Sequence, residues 1–238
     1  MQSEKLFVNT LRTYFNTIVE NWRIALQHKN IKYQFIITML SYIFLFKYCR
    51  IVMTIFENRK GTQIHDPFLA QLPVIDASNV IFILTYSALA IFILSNLINP
   101  LRFIKGLQAY SLLLIMRTIT IYLVPLEPPI GMIVLKDTVS NFFMNSNTGS
   151  YIVKDLFFSG HVSAVVLFFL IAENKLVKTK LLVLAFAIGT LILLQHVHYV
   201  MDVVAAPFFS FLAIKIVALA HKDKSISVLS SKRLSGKN

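Results

Sequence analysis

From Tyr33 to Ala220 the chain is a series of apolar runs, each near the length of about twenty residues that a helix needs to cross hydrocarbon. That pattern predicts an all-α, polytopic membrane protein. Composition agrees, since 56% of the residues are hydrophobic, 14% are charged and the mean hydropathy is +0.69. The runs are Tyr33 to Phe56, Val80 to Leu97, Leu107 to Val124, Leu156 to Ala172, Lys180 to Val197 and Asp202 to Ala220, and they are read as a bundle of six transmembrane helices. Lys47 and Arg50 interrupt the first run and are expected to snorkel or to face the bundle interior.

Ahead of the first run, Phe7, Leu11, Phe15, Ile18, Trp22 and Ala25 recur at three and four with Lys5, Arg12, Glu20 and Arg23 between them. This predicts an N-terminal amphipathic helix lying at the membrane interface, with packing on another part of the protein as the alternative. No compact leader core is visible, so no cleaved leader is expected. Organisation follows: an interfacial segment over 1–32, a six-helix catalytic domain over 33–220 and a basic tail over 221–238.

The formal charge of +12 would point to nucleic acid in a soluble chain. Here Lys and Arg fall mostly between the runs, where they set topology and meet anionic headgroups, so nucleic-acid binding is not expected. Cations cluster before the first run, between the second and third, between the fourth and fifth, and after the sixth. The alternate connections, Glu57 to Asn79 and Leu126 to Asp155, hold fewer cations and most of the loop acids, the second with room for a short re-entrant piece. By the positive-inside rule both termini are cytoplasmic. The single cysteine, Cys49, excludes a disulfide framework, and no metal site or cofactor is expected.

That topology brings Arg117, His161, His198 and Asp202 to one depth on the non-cytoplasmic side. His198 and Asp202 are four apart, so on a helical turn the carboxylate can hold the imidazole, fixing its tautomer and supporting positive charge. Ser159-Gly160-His161 opens an apolar run, where small residues let backbone amides approach an anion. Two histidines and an acid make a minimal set for nucleophilic and acid–base chemistry, and ionisable groups at membrane depth are functional by default. His196, two residues before His198, faces elsewhere and is read as structural.

These motifs resemble the C-terminal pair of the phosphatidate phosphatase type 2 superfamily, and within it the sphingomyelin synthase branch. The likeness runs from Arg117 to Pro207. It includes Arg117-Thr118-Ile119-Thr120-Ile121-Tyr122 leading to Pro125, Asp155 six before His161, and His198-Tyr199 with Asp202. The chain departs from the branch at Val153-Lys154, Val162 and Val200. The phosphatase branch carries a Ser-Arg whose arginine lies six before the second histidine; Leu191-Ile192 stands there, so the grip on a dianionic phosphomonoester is missing and a singly charged phosphodiester fits better.

The resemblance implies a lipid phospho-headgroup transferase acting through a phosphohistidine. His198 is the expected nucleophile, Asp202 its orienter and His161 the general acid and base. Arg117, Ser159 and Gly160 are expected to bind the phosphate, with Asp155, Lys154 and Tyr199 in support and Lys136 as a further cation. The expected partners are a membrane phospholipid donor and a lipid-alcohol acceptor, ceramide or diacylglycerol. A lipid phosphatase or phospholipase C on the same site, and a non-enzymatic lipid-handling protein, are the alternatives.

Overall fold

The computed structural model describes residues 2–136 and 152–221, without side chains for 2–7, 49 and 50. The roles expected of Lys5, Phe7, Cys49 and Arg50, part of the connection from Leu126 to Asp155 and the tail from Lys222 lie outside the described residues.

Among the described residues the chain forms α1 (Gln2–Gln27), α2 (Lys29–Glu57), α3 (Ser78–Asn96), α4 (Pro100–Leu123), α5 (Gly160–Ile171), α6 (Lys175–Leu194) and α7 (Val200–Ala220). The element boundaries have local chemical causes. Asn99 accepts a hydrogen bond from the Arg102 amide at 3.2 Å and places Pro100 in the first turn of α4, where its missing N–H costs nothing. Asn174 does the same for α6 through Leu176 and Val177, at 2.8 and 3.2 Å. α4 stops just short of Pro125, which disfavours helix in the residue before it.

Five helices, α2, α3, α4, α6 and α7, are long and apolar enough to cross a membrane, consistent with a multi-pass membrane protein. The count of six is not reached on length alone, because α5, in the expected fourth span, has 12 residues and a rise of about 18 Å against hydrocarbon about 30 Å thick. The reading of Leu156 to Ala172 as one span took apolarity as evidence of helix. Leu156, Phe157 and Phe158 are apolar for another reason: they form a folded segment ahead of α5, where Phe158 stacks on Phe209 of α7 at 4.1 Å. α5 itself packs against α3, α4, α6 and α7, so it is the inner helix of the bundle. Phe168 of α5 stacks on Phe92 of α3 at 4.5 Å.

The amphipathic α1 packs on the protein, the alternative weighed for it. One face docks on the turn between α3 and α4, where Asn21 and Trp22 donate to the Ile98 and Leu97 carbonyls at 2.7 and 2.8 Å and the Tyr14 hydroxyl donates to Leu94. Those carbonyls lie past the last intrahelical donors of α3, so α1 caps them. Val8, Leu11, Phe15 and Val19 remain exposed beside the docked residues.

At the other end of the bundle the α2–α3 and α4–α5 connections are stitched together. Thr62 donates to Pro125 at 2.9 Å and accepts from Glu127 at 3.0 Å, a single parallel bridge that lays 58–77 and 124–136 over the ends of α4, α6 and α7.

Candidate active site

The histidine-bearing segment between α6 and α7 is shaped by how α6 ends. The Val197 amide donates to Ile192 at 3.1 Å and the His196 amide to Leu193 at 3.0 Å, the paired bonds of a Schellman cap. His196 is the left-handed residue of that cap, at φ 56°, where glycine is usual. Its Nδ1 meets the Ile130 carbonyl at 3.0 Å. Next to it the buried Gln195 amide accepts from Ala77 at 3.0 Å and donates to Ser78 at 2.8 Å and Ile133 at 3.1 Å, pinning the end of α6 to both the α2–α3 and α4–α5 connections.

His198 therefore lies outside any helix. The expectation that it shares a helical turn with Asp202 is corrected: Tyr199 is the N-cap of α7, Asp202 sits in its first turn, and the histidine precedes both. The pair still forms, because Asp202 Oδ2 accepts from the Tyr199 amide at 3.2 Å and lies 3.1 Å from His198 Nδ1. The carboxylate that closes the start of the helix also holds the ring. Tyr199 is anchored in turn, its hydroxyl donating to the Glu127 carbonyl at 2.9 Å and accepting from the Ile64 amide at 3.2 Å. Asp66 Oδ2 accepts from Val200 at 2.9 Å.

Arg117 projects from the C-terminal half of α4, its side chain 7% exposed. Its Nε donates to Asp155 Oδ1 at 3.1 Å, while Nη2 meets Asp155 Oδ2 at 2.7 Å and the Asp155 carbonyl at 2.9 Å. Nη1 donates to the Phe158 carbonyl, which leaves one Nη1 hydrogen as the unspent donor among the described residues. The anionic partner of the guanidinium is thus a resident acid. Gly160 lies against it: a Cβ there would come 2.9 Å from the guanidinium carbon. That close approach explains the glycine between Ser159 and His161 better than an amide cradle does. The Ser159 amide is also committed, donating to the Asp202 carbonyl at 3.0 Å, while its hydroxyl caps α5 by accepting from Val162 at 3.5 Å.

The Ser159–Asp202 bond ties the two motifs directly. Charge ties them as well, because Asp155 lies within electrostatic reach of Arg117, His198 and His161 together. Burial pushes the Asp155 carboxyl up, but the Arg117 guanidinium outweighs this and, with smaller help from the two histidines, holds it below the usual carboxylate value. His161, the second residue of α5, presents its ring to the edge of Phe82 at 5.7 Å. Asp202 is 0% and the His198 side chain 3% exposed. Asp202 Oδ1 is buried without a hydrogen-bond partner among the described residues, so a positive charge on the adjacent ring is the stabilisation open to this carboxylate.

Lys154 is not free to grip phosphate. Its Nζ bonds Glu127 Oε1 and the Arg59 carbonyl, both at 2.8 Å. Glu127 also accepts from Gly61, and the Lys154 and Gly61 hydrogen bonds hold its carboxyl below the usual range. Glu57 Oε2 accepts from the Val153 and Lys154 amides at 3.0 Å each, immobilising the segment that carries Asp155. Arg59 donates to the Ile121 and Tyr122 carbonyls at 2.6 and 2.7 Å, capping α4. Lys136 is exposed. Glu57, Asp66, Glu127 and Gln195 escaped the sequence reading. Only the concentration of loop acids in the α2–α3 and α4–α5 connections signalled the first three, and nothing signalled Gln195.

Residues 154–219 match the family model described as PAP2 superfamily C-terminal, a segment that holds Asp155, His161, His198 and Asp202 and leaves Arg117 outside. No curated protein and no solved structure matches the chain. The match supports the phosphatidate phosphatase type 2 superfamily, whose members are generally phosphatases and phosphotransferases, and so a lipid enzyme of that broad kind. It does not extend to the sphingomyelin synthase branch.

Proposed function

We propose that the protein is a membrane-embedded lipid phospho-headgroup transferase that moves a phospho-headgroup from a glycerophospholipid to ceramide or a similar lipid alcohol. The observation that carries this reading is the buried His198–Asp202 pair at 3.1 Å, hydrogen-bonded through the Ser159 amide to the helix start that bears His161.

Asp202 on Nδ1 makes Nε2 of His198 the reacting nitrogen. Nε2 attacks phosphorus, the bond to the diacylglycerol oxygen breaks, and His161 donates its proton to that oxygen. The now neutral His161 then takes the proton of the acceptor hydroxyl. That oxygen attacks the phosphohistidine, the phosphorus–nitrogen bond breaks, and both histidines return to their starting states. Arg117 contributes through its remaining Nη1 donor and through the field of the guanidinium, strongest as charge develops on the phosphoryl oxygens.

Two features favour a diester and transfer. Ile192, where the phosphatase branch has its arginine, is 0% exposed in the core, so no cation is added there to hold a dianion. The near-complete burial of His198 disfavours bulk water as acceptor. Both termini are assigned to the cytoplasm and the site to the opposite face, from the cation asymmetry. With Cys49 replaced by serine, a cysteine at Lys60 should react with an impermeant thiol reagent from outside, and one at Lys178 should not.

Purified protein given labelled phospholipid with and without ceramide tests the function. Ceramide-dependent appearance of label in a new phosphodiester supports the proposal. Release of soluble phospho-headgroup regardless of ceramide would make it a hydrolase, and neither product would sink enzymatic readings altogether.

A further inference from the structure

At the end of α5 opposite the histidines lies a cavity of about 340 Å³, within the size range of small-ligand sites. Ser95, Asn96, Arg102, Glu173, Asn174 and Val177 line it. Since α5 rises about 18 Å, this cavity is separate from the catalytic residues.

Both signs of charge meet at this cavity. Arg102 bonds Glu173 through Nη2 and Oε1 alone, a single-pronged contact in which Nε, Nη1 and the second carboxylate oxygen have no partner among the described residues. Glu173 is 69% exposed, so its carboxylate remains open to a second ligand. Asn96 is 1% exposed, and its Nδ2 is spent on the Phe92 carbonyl at 2.8 Å and Ser95 Oγ at 3.1 Å, which leaves Oδ1 as an acceptor with no hydrogen bond among the described residues. A bare anion is a poor match. The α6 N-terminus beside the cavity is already closed by Asn174, and Glu173 offsets the Arg102 charge. A quaternary ammonium is also a poor match, because no aromatic ring lines the cavity to supply a π face. A phosphate for the free edge of Arg102 and a primary ammonium for Glu173 and Asn96 Oδ1 satisfy every unspent group.

We propose that this cavity is a second lipid site, distinct from the catalytic one, that takes the phosphoethanolamine-type headgroup of a zwitterionic phospholipid in the leaflet opposite the histidines. Native mass spectrometry of the full chain, delipidated and then given phosphatidylethanolamine, phosphatidylcholine or phosphatidylglycerol, tests it. The wild-type protein should retain phosphatidylethanolamine over the other two by roughly tenfold, the scale of one charge-assisted hydrogen bond. Glu173→Gln, at an exposed position, should erase the preference for the primary amine, and Arg102→Ala should reduce retention of all three, with labelled-headgroup turnover unchanged in both. Equal retention of phosphatidylcholine, tighter retention of phosphatidylglycerol, or a preference that survives Glu173→Gln would overturn the site. Displacement by millimolar glycerophosphoethanolamine would overturn its assignment to a lipid. Loss of turnover in either variant would overturn its independence from catalysis.

Discussion

The starts of α5 and α7 carry the same ingredients, one histidine and one aspartate each, and use them in opposite ways. At α5 the acid, Asp155, precedes the helix, its side chain is 40% exposed, and both its oxygens rest on the fixed charge of Arg117. At α7 the acid, Asp202, is inside the helix and wholly buried, with one oxygen shared between the Tyr199 amide and a histidine that can change its charge. A carboxylate beside a guanidinium has little further to gain from a developing charge nearby. A buried carboxylate beside a neutral imidazole gains whenever that imidazole becomes positive. The second half-site is therefore suited to the nucleophile and the first to holding charge and geometry.

Substitutions at α7 should do the most damage. Asp202→Asn keeps the shape and removes the charge, and turnover should fall on the order of a thousandfold, as for other orienting carboxylates behind a catalytic imidazole. His198→Ala and His161→Ala should be as severe, and the double variant barely worse than either, since the residues act as one unit. If His196→Ala were inactive and His198→Ala active, the nucleophile would have to be reassigned by two residues.

Next in size is the half-site at α5. Arg117→Lys retains the charge and loses the planar fork that spans Asp155 and Phe158, so turnover should drop by about a hundredfold. Full turnover with a lowered melting temperature would make the guanidinium a purely structural partner. Gly160→Ala tests the same contact from the other side, because its methyl would press on the guanidinium carbon at 2.9 Å. A loss of about tenfold is expected, smaller because the arginine can shift.

The Asp155 pair should also be visible in acid. With its carboxyl held low in the folded protein, the pair contributes fully above the unfolded carboxylate value of about 4 and is lost as pH falls through the lower folded value. Melting temperature followed downward from pH 5 should fall more steeply in the wild type than in Asp155→Asn; parallel curves would deny the ion pair any stabilising role. The smallest effect is expected at the Lys154–Glu127 bridge. Glu127→Gln should cost about 0.5 kcal/mol and less at high salt, because a pair that keeps contact with solvent is weak and screened. A larger cost, with loss of turnover, would mean that the Tyr199 anchor depends on this acid.

Much of the architecture was legible because lipid-crossing helices announce themselves by length and apolarity. α2, α3, α4, α6 and α7 overlap the runs read from sequence, although α6 begins at Lys175 and ends at Leu194 rather than running from Lys180 to Val197. The shift matters, since it frees Gln195 to Tyr199 to form the cap and loop that carry His198. A Schellman cap normally advertises itself by glycine, and His196 gave no such signal. α5 is shorter than the run read for it for a related reason: a buried loop and a buried helix are equally apolar, and Leu156 to Phe158 are the loop.

Sequence alone determined the class of protein, the candidate residues and their grouping at one end of the bundle, because hydrophobic length, cation placement and the Ser-Gly-His and His-x-x-x-Asp spacings are local properties. Tertiary structure alone decided what each charged group is paired with. Arg117 and Asp155 are separated by a long connection, and Glu57, Glu127 and Lys154 by longer or unrelated ones. Nothing local says that Arg117 meets a resident acid, or that Glu127 takes the Lys154 ammonium. Partner choice for a charge in a low-dielectric bundle is set by which oxygen the packed backbone brings within about 3 Å, and that distance is a property of the assembled helices.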